Sequence, residues 1–189
     1  MKFPLVLVSI CAAFAVSLDA GKIKVDAKYD KTFDFTKAKT YEWRASSSGA
    51  VHLLQLSGDD PAALQARFEP VIIKSVDETL AKRGLARATA SPDLEVSYYL
   101  LIGPGMTAQT MGQFLPAVTE WGLPPFNAAT QALEIYEQGT LIVDLAGHDR
   151  VVWRGSASAE IDRRLDGAAR DARIEAAVRD MFKKFPPKK

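Results

Sequence analysis

The stretch YEQGTLIVDLAGHDRVVWRGSASAEI, Tyr136 to Ile161, constrains the fold more than any other part of the chain. Leu141, Val143 and Leu145 alternate before AGHDR, and Val151, Trp153 and Ala157 share one parity after it. Successive strand side chains point to opposite faces, so the pattern predicts two antiparallel strands with one face toward a core and a turn at AGHDR. The same stretch gathers His148, Asp149, Arg154, Ser156 and Ser158, residue types that invite a catalytic reading. A serine nucleophile needs a positioning turn such as G-x-S-x-G, and RGSAS instead falls inside an alternating strand. Ser156 and Ser158 are therefore expected with Arg154 and Glu160 on a solvated polar stripe. Asp144 and Arg154 share a face in the simplest register, where opposite charges add roughly 0.2–1 kcal/mol.

Upstream, alternation predicts strands at Ile23 to Tyr29 and at Thr40 to Arg44, with Tyr41 and Trp43 on the core side. Asp60-Pro61 supplies an N-cap acceptor followed by a proline whose missing N–H costs nothing there. A helix is expected from this point to about Arg83, with Phe68, Ile72, Val76 and Leu80 on one stripe, a possible interruption at Pro70, and Gly84 as its stop. Leu94, Val96, Tyr98, Leu100 and Ile102 alternate along a further strand, and Tyr99 and Leu101 imply cover on its other side. A second helix closes the chain, with Ile174, Val178, Met181, Phe182 and Phe185 as its stripe and Pro186 as its stop. The expected fold is α+β: an antiparallel or mixed sheet of about five strands with two amphipathic helices packed on one face, a two-layer sandwich.

The domain plan has three parts: a signal peptide at 1–20, a single domain at 21–189, and within it a long insertion at 103–138 and a short polar tail at 186–189. The chain of 189 residues suits one domain. Phe3 to Val16 is apolar except for Ser9 and follows Lys2, the pattern of a secretory signal too short to span a bilayer. Cleavage is expected between Ser17 and Ala20, with Ala20 favoured. Cys11, the single cysteine, lies inside this segment, so the mature chain is expected without thiol chemistry. Acylation at Cys11 is the competing reading, and Ile10 opposes it because a very small residue belongs before a lipidated cysteine.

Charge and residue spacing bear on function class. With 24 Lys+Arg against 23 Asp+Glu, the chain carries no excess that would select nucleic acid. His52 and His148 stand far apart with no ligand cluster beside them, and Asp26, Asp30 and Asp34 only approximate a calcium loop and lack its glycine, so no metal and no cofactor is expected. GPG at Gly103 does not continue into a phosphate-binding loop. Glu120, Glu134 and Glu137 stay open as carboxylates whose separation one sequence does not give. In the 103–138 insertion, Phe114, Trp121 and Phe126 lie among Gly and Pro residues. They are the candidate residues for binding a partner or ligand; the other reading is an insertion that folds back to cap the second sheet face.

Three pieces, VDAKYDKTFDFTKAKTYEW, LAKRGLARATASPDLEVSYYL and the Tyr136–Ile161 stretch, together resemble a bacterial family of unknown function, number 4136, whose members are exported envelope proteins and frequently lipoproteins. The resemblance implies a two-layer α+β domain and an envelope location, and it carries over no catalytic residue. It departs from many members in lacking a convincing lipid-attachment cysteine, so a soluble periplasmic or secreted form is expected, and membrane association is doubtful. The resulting expectation is a non-catalytic binding or structural module whose partner is an unknown envelope protein or a small ligand, not nucleic acid. The alternatives are a carboxylate-based envelope hydrolase and a lipid-anchored structural lipoprotein.

Overall fold

The computed structural model describes residues 22–44, 50–53, 60–88, 90–106, 136–147, 150–160 and 165–187. The signal segment, Cys11, Phe114, Trp121, Phe126, Glu120, Glu134, and His148 and Asp149 of the hairpin turn lie outside them.

The chain order is β1 (Lys24–Tyr29), β2 (Thr40–Trp43), β3 (Ala50–Leu53), α1 (Pro61–Lys82), β4 (Ala86–Arg87), β5 (Leu94–Met106), β6 (Tyr136–Gly147), β7 (Arg150–Ala159) and α2 (Gly167–Met181), with a 3₁₀ turn at Phe182–Lys184. The strands form one mixed sheet in the order β1-β7-β6-β5-β2-β4, with β3 also paired to β5. The fold is thus α+β as expected, with β3 and β4 added to the five anticipated strands. β1, β7, β6 and β5 run antiparallel. β2 and β3 pair in parallel with successive parts of β5, at Leu94–Val96 and Tyr99–Ile102. The two short strands thereby occupy one flank of β5, β2 beside its start and β3 further along.

Local chemistry explains the helix ends. Asp60 Oδ1 accepts from the Ala62 N–H at 3.0 Å, and Pro61 follows at the first helical position. At the far end Gly84 takes φ +84°, while the Gly84 and Leu85 N–H groups donate to the Ala81 and Leu80 carbonyls. That pair of bonds satisfies carbonyls the helix leaves open and uses the left-handed conformation that glycine adopts without a Cβ penalty. Pro70 does not interrupt α1: it sits on the exposed side, and the helix passes through it. Asp166 Oδ1 caps α2 by accepting from the Ala169 N–H at 2.8 Å.

Both helices pack on one sheet face. Ile72, Val76 and Leu80 of α1 are fully buried, as are Val178 and Phe182 at the end of α2. They meet Trp43, Leu94, Val96, Tyr98, Val143, Leu145 and Trp153 from the sheet. Aromatic edges close this end: Trp153, Phe182 and Phe185 lie 4.5–5.6 Å apart by ring centroid, and Phe35 stands edge-on to Phe185 at 5.7 Å. Asp77 of α1 ties the helix layer to β2, its Oδ1 accepting from Tyr41 Oη and Trp43 Nε1, each at 2.9 Å.

The hairpin obeys the alternation with one exception. Leu145 faces Trp153, but Ala146 faces Val151, so the register shifts by one residue and Val152 is extra. Val152 joins the core cluster in place of Val151, which was expected to share the Trp153 face; a bulge places two consecutive residues opposite one and so breaks the two-residue period.

Candidate functional site

The layer between helices and sheet is filled at the aromatic end and hollow at the other. There the first turns of α1 and α2 stand over the end of β5, the start of β6 and the end of β7, and border an open-mouthed cavity of about 270 Å³. Leu64 and Phe68 line it from α1 and Ile174 from α2; Leu100 and Ile102 line it from β5, and Ile23 from just before β1. Beside Leu100, Ile102 and Leu141 the sheet contributes the small residues Gly139, Ala157 and Ala159, which add little side-chain volume to the floor. Phe68 and Ile174 were expected as ordinary core members of their stripes. Both are only half-buried, because at this end the stripes face the cavity rather than the sheet.

Arginines form the rim. Arg67 lies beside Phe68, its guanidinium carbon 5.5 Å from the ring centroid, and it reaches toward Gly167 at the start of α2. Arg170 Nε donates to the Asp166 carbonyl at 3.2 Å, and Arg173 Nη2 donates to the Glu160 carbonyl at 3.1 Å. Glu160 is the single acidic residue among the lining residues described. The arrangement presents an apolar interior under a rim of three guanidinium groups and one carboxylate. It offers no nucleophile paired with a base, and among the described residues no three His, Cys, Asp or Glu side chains converge as a metal-ligand set.

A second hollow, about 590 Å³, lies at the opposite end beside Thr32, Asp34, Lys37, Asp93, Glu95 and Arg150. Its polar groups are committed to the fold. Asp34 accepts from Thr36, Glu95 pairs with Arg44 at 2.5 Å, and Arg150 pairs with Asp30 at 2.7 Å. Burial pushes the Asp30 carboxyl up, but hydrogen bonds from Thr32 and the Arg150 guanidinium outweigh it and hold it below the usual carboxylate range. Asp93 Oδ2 accepts from the Lys39 N–H, the Thr40 N–H and Thr40 Oγ1 at 2.8–2.9 Å, which also holds its carboxyl low. Asp26, Asp30 and Asp34 thus do not gather as a cation loop: Asp26 is on β1, and the other two organise the turns that follow it.

Among the residues of the opening stretch, Asp144 and Arg154 do face each other across β6 and β7. The polar stripe expected there is not solvated at Arg154. Arg154 is 7% exposed and Asp144 fully buried, and the guanidinium makes two parallel bonds, Nε to Oδ1 at 2.7 Å and Nη2 to Oδ2 at 2.6 Å. Burial pushes the Asp144 carboxyl up, against the opposing pull of the guanidinium. These side chains lie on the sheet face away from the helices, where Tyr99, Leu101 and Ile142 are also buried. Ser156 and Ser158 are partly exposed on the same face, and Ser158 shares a hydrogen bond with Thr140 at 2.9 Å.

Phe114, Trp121 and Phe126 lie outside the described residues, and the described residues that line the cavity are ones the sequence reading did not single out for binding. Arg67, Arg170 and Arg173 carried one available signal. Each stands within a turn of the first apolar residue of its helix stripe, Phe68 or Ile174, and Arg170 and Arg173 share a face at three-residue spacing.

The sequence profile of the domain of unknown function DUF4136 matches residues 25–187. The chain belongs to that family. A crystal structure of a DUF4136 family protein from Bacteroides thetaiotaomicron VPI-5482 superposes with a TM-score of 0.52 at 17% identity, over 87% of this chain and 96% of that one. A PDZ domain protein from Parabacteroides distasonis ATCC 8503 matches with a TM-score of 0.49 at 17% identity, over 92% of this chain and 38% of that one. A PelC dodecamer subunit from Paraburkholderia phytofirmans matches at 0.42 and 9% identity, over 89% of this chain and the whole of that one. At these identities the likeness concerns the fold alone. No curated protein matches the sequence.

Proposed function

We propose that this protein is an exported component of the bacterial envelope that acts as a non-catalytic binding module, with its ligand held in the cavity between the helices and the sheet. The observation that carries the reading is the contrast within one layer: apolar side chains close it completely at the aromatic end and leave it hollow, yet still apolar-lined, at the arginine end. A well-formed apolar cavity with a few polar groups at its edge is the general form of a small-molecule site, and such sites run about 300–1,000 Å³. At about 270 Å³ this one lies just below that range. Export is supported by the lysine-led apolar segment before residue 20, and no helix among the described residues is long and apolar enough to cross a membrane.

The test uses N-phenyl-1-naphthylamine, a neutral apolar dye whose emission rises when it leaves water. The purified protein is expected to bind it saturably at one site, and Ala159→Phe, which adds a ring at the cavity floor, is expected to abolish that binding while keeping a cooperative thermal transition. Saturable binding that survives Ala159→Phe, or none in either protein, rejects the cavity as the site. Intact mass of protein recovered from cell envelopes tests export: a mass matching a start near Gly21 is expected, and an uncleaved mass from Met1 rejects it.

A further inference from the structure

We infer that the ligand is a single-chain anionic amphiphile, with its hydrocarbon chain in the cavity and its carboxylate or phosphate head at the Arg67, Arg170 and Arg173 rim. This rests on the cavity being the binding site. Two independent features of the rim and interior specify the class.

The first is charge. The whole chain is nearly neutral, with 24 basic and 23 acidic residues, so a concentration of guanidinium groups at one opening does not follow from composition. Three arginines and one glutamate line this cavity. Arg67 and Arg170 carry no ion pair among the described residues; the contacts they make are with the Phe68 ring and the Asp166 carbonyl. A neutral carbonyl leaves the charge of a guanidinium uncompensated, so an anionic head gains charge-assisted hydrogen bonds without displacing a carboxylate from these two residues. Arginine also suits this place mechanically. Its stem lies along apolar surface while its planar head stays at the opening, and that head pairs with carboxylate and phosphate oxygens two at a time.

The second is shape. The interior is small and lined by Leu64, Phe68, Leu100, Leu141 and Ile174, with no charged group below the rim among the lining residues described. A flexible single chain fits such a space, and each methylene taken from water adds to the affinity. A two-chain lipid exceeds the volume, and a sugar leaves its hydroxyls without partners among these side chains.

The experiment is competition. Protein loaded with N-phenyl-1-naphthylamine is titrated with dodecanoate, dodecyl phosphate, dodecanol and dodecyltrimethylammonium, each below its micelle concentration. The anions are expected to displace the dye at concentrations about tenfold lower than the alcohol, with the cation weakest, and added salt is expected to narrow the gap. Arg67→Gln with Arg170→Gln is expected to bring dodecanoate within about threefold of dodecanol, each displacement being referred to the variant's own dye affinity. The salt series on the unaltered protein tests the same point if that double variant unfolds. Displacement by dodecanol as effective as by dodecanoate overturns the anionic assignment and leaves the cavity reading standing. Absence of dye binding removes both. The ranking of dodecanoate against dodecyl phosphate separates a fatty acid from a phospholipid-derived ligand.

Discussion

At the scale of single residues, the Asp144–Arg154 pair combines high cost with tight geometry. Removing two charges from water costs several kcal/mol per ion, and two short parallel hydrogen bonds return much of it. Arg154→Ala or Asp144→Ala leaves one buried charge without its partner, and either is expected to lower unfolding free energy by about 3–5 kcal/mol in urea titrations. Replacing both with leucine and methionine is expected to recover most of that loss, because an apolar pair restores packing without stranding a charge. Gly155 makes a steric demand of a different kind. The Trp153 ring lies across it, and a Cβ there would overlap the ring atoms. Gly155→Ala therefore forces Trp153 out of its stack with Phe182, with an expected loss of about 1–3 kcal/mol and a changed near-ultraviolet circular dichroism spectrum.

At the scale of elements, β2 illustrates how a four-residue strand is held. Its N-terminal end is fixed by Asp93, which collects two backbone N–H groups and the Thr40 hydroxyl, and its far end by Asp77 through Tyr41 and Trp43. Because the folded Asp93 carboxyl is held below its unfolded value, its contribution is present above about pH 3.9 and is lost as pH falls through the folded value. Asp93→Asn is expected to lower Tm at pH 7 and to converge with the wild type below that range; a gap that stays constant to pH 2 contradicts it. The longer elements could be read from the sequence because a single periodicity governs each. The Ile72–Val76–Leu80 spacing gives α1, and the alternation from Leu94 gives β5. β3 and β4 could not, since four residues and two residues contain too few repeats to separate a period from chance, and their pairing depends on β5 and β2. The bulge was equally hidden: Val151 and Val152 are the same residue type, so nothing in composition says which one enters the core. Arg154 was misplaced for a related reason, because alternation gives the face of a residue and not how deeply that face is covered.

At the scale of the whole molecule, the cavity depends on the relation between two helices about a hundred residues apart in the chain, which no local pattern encodes. Arg67 and Arg170 meet across its rim only once both stripes have docked on the sheet. The uneven filling of the layer predicts uneven stability. Hydrogen exchange is expected to be faster in the first two turns of α1 and α2, over the cavity, than around Ile72–Leu80 and Val178–Phe182. Dodecanoate is expected to slow exchange in those first turns, and protection confined to the aromatic end would contradict the ligand's placement.

The pairing of β1 with β7 has a consequence for the order of events in time. Lys24 lies opposite Ser158, and the register continues to Tyr29 and Trp153, so the first strand finds its neighbour in the last of the described strands. Contacts so remote along the chain give a high contact order, and sheets built on them form in milliseconds to seconds rather than microseconds. Until β7 exists, β1 has no ladder to join and β6 exposes an open edge. A chain threaded N-terminus first through any pore would therefore keep β1 without its partner strand until its final third had emerged, so completion of the sheet follows passage.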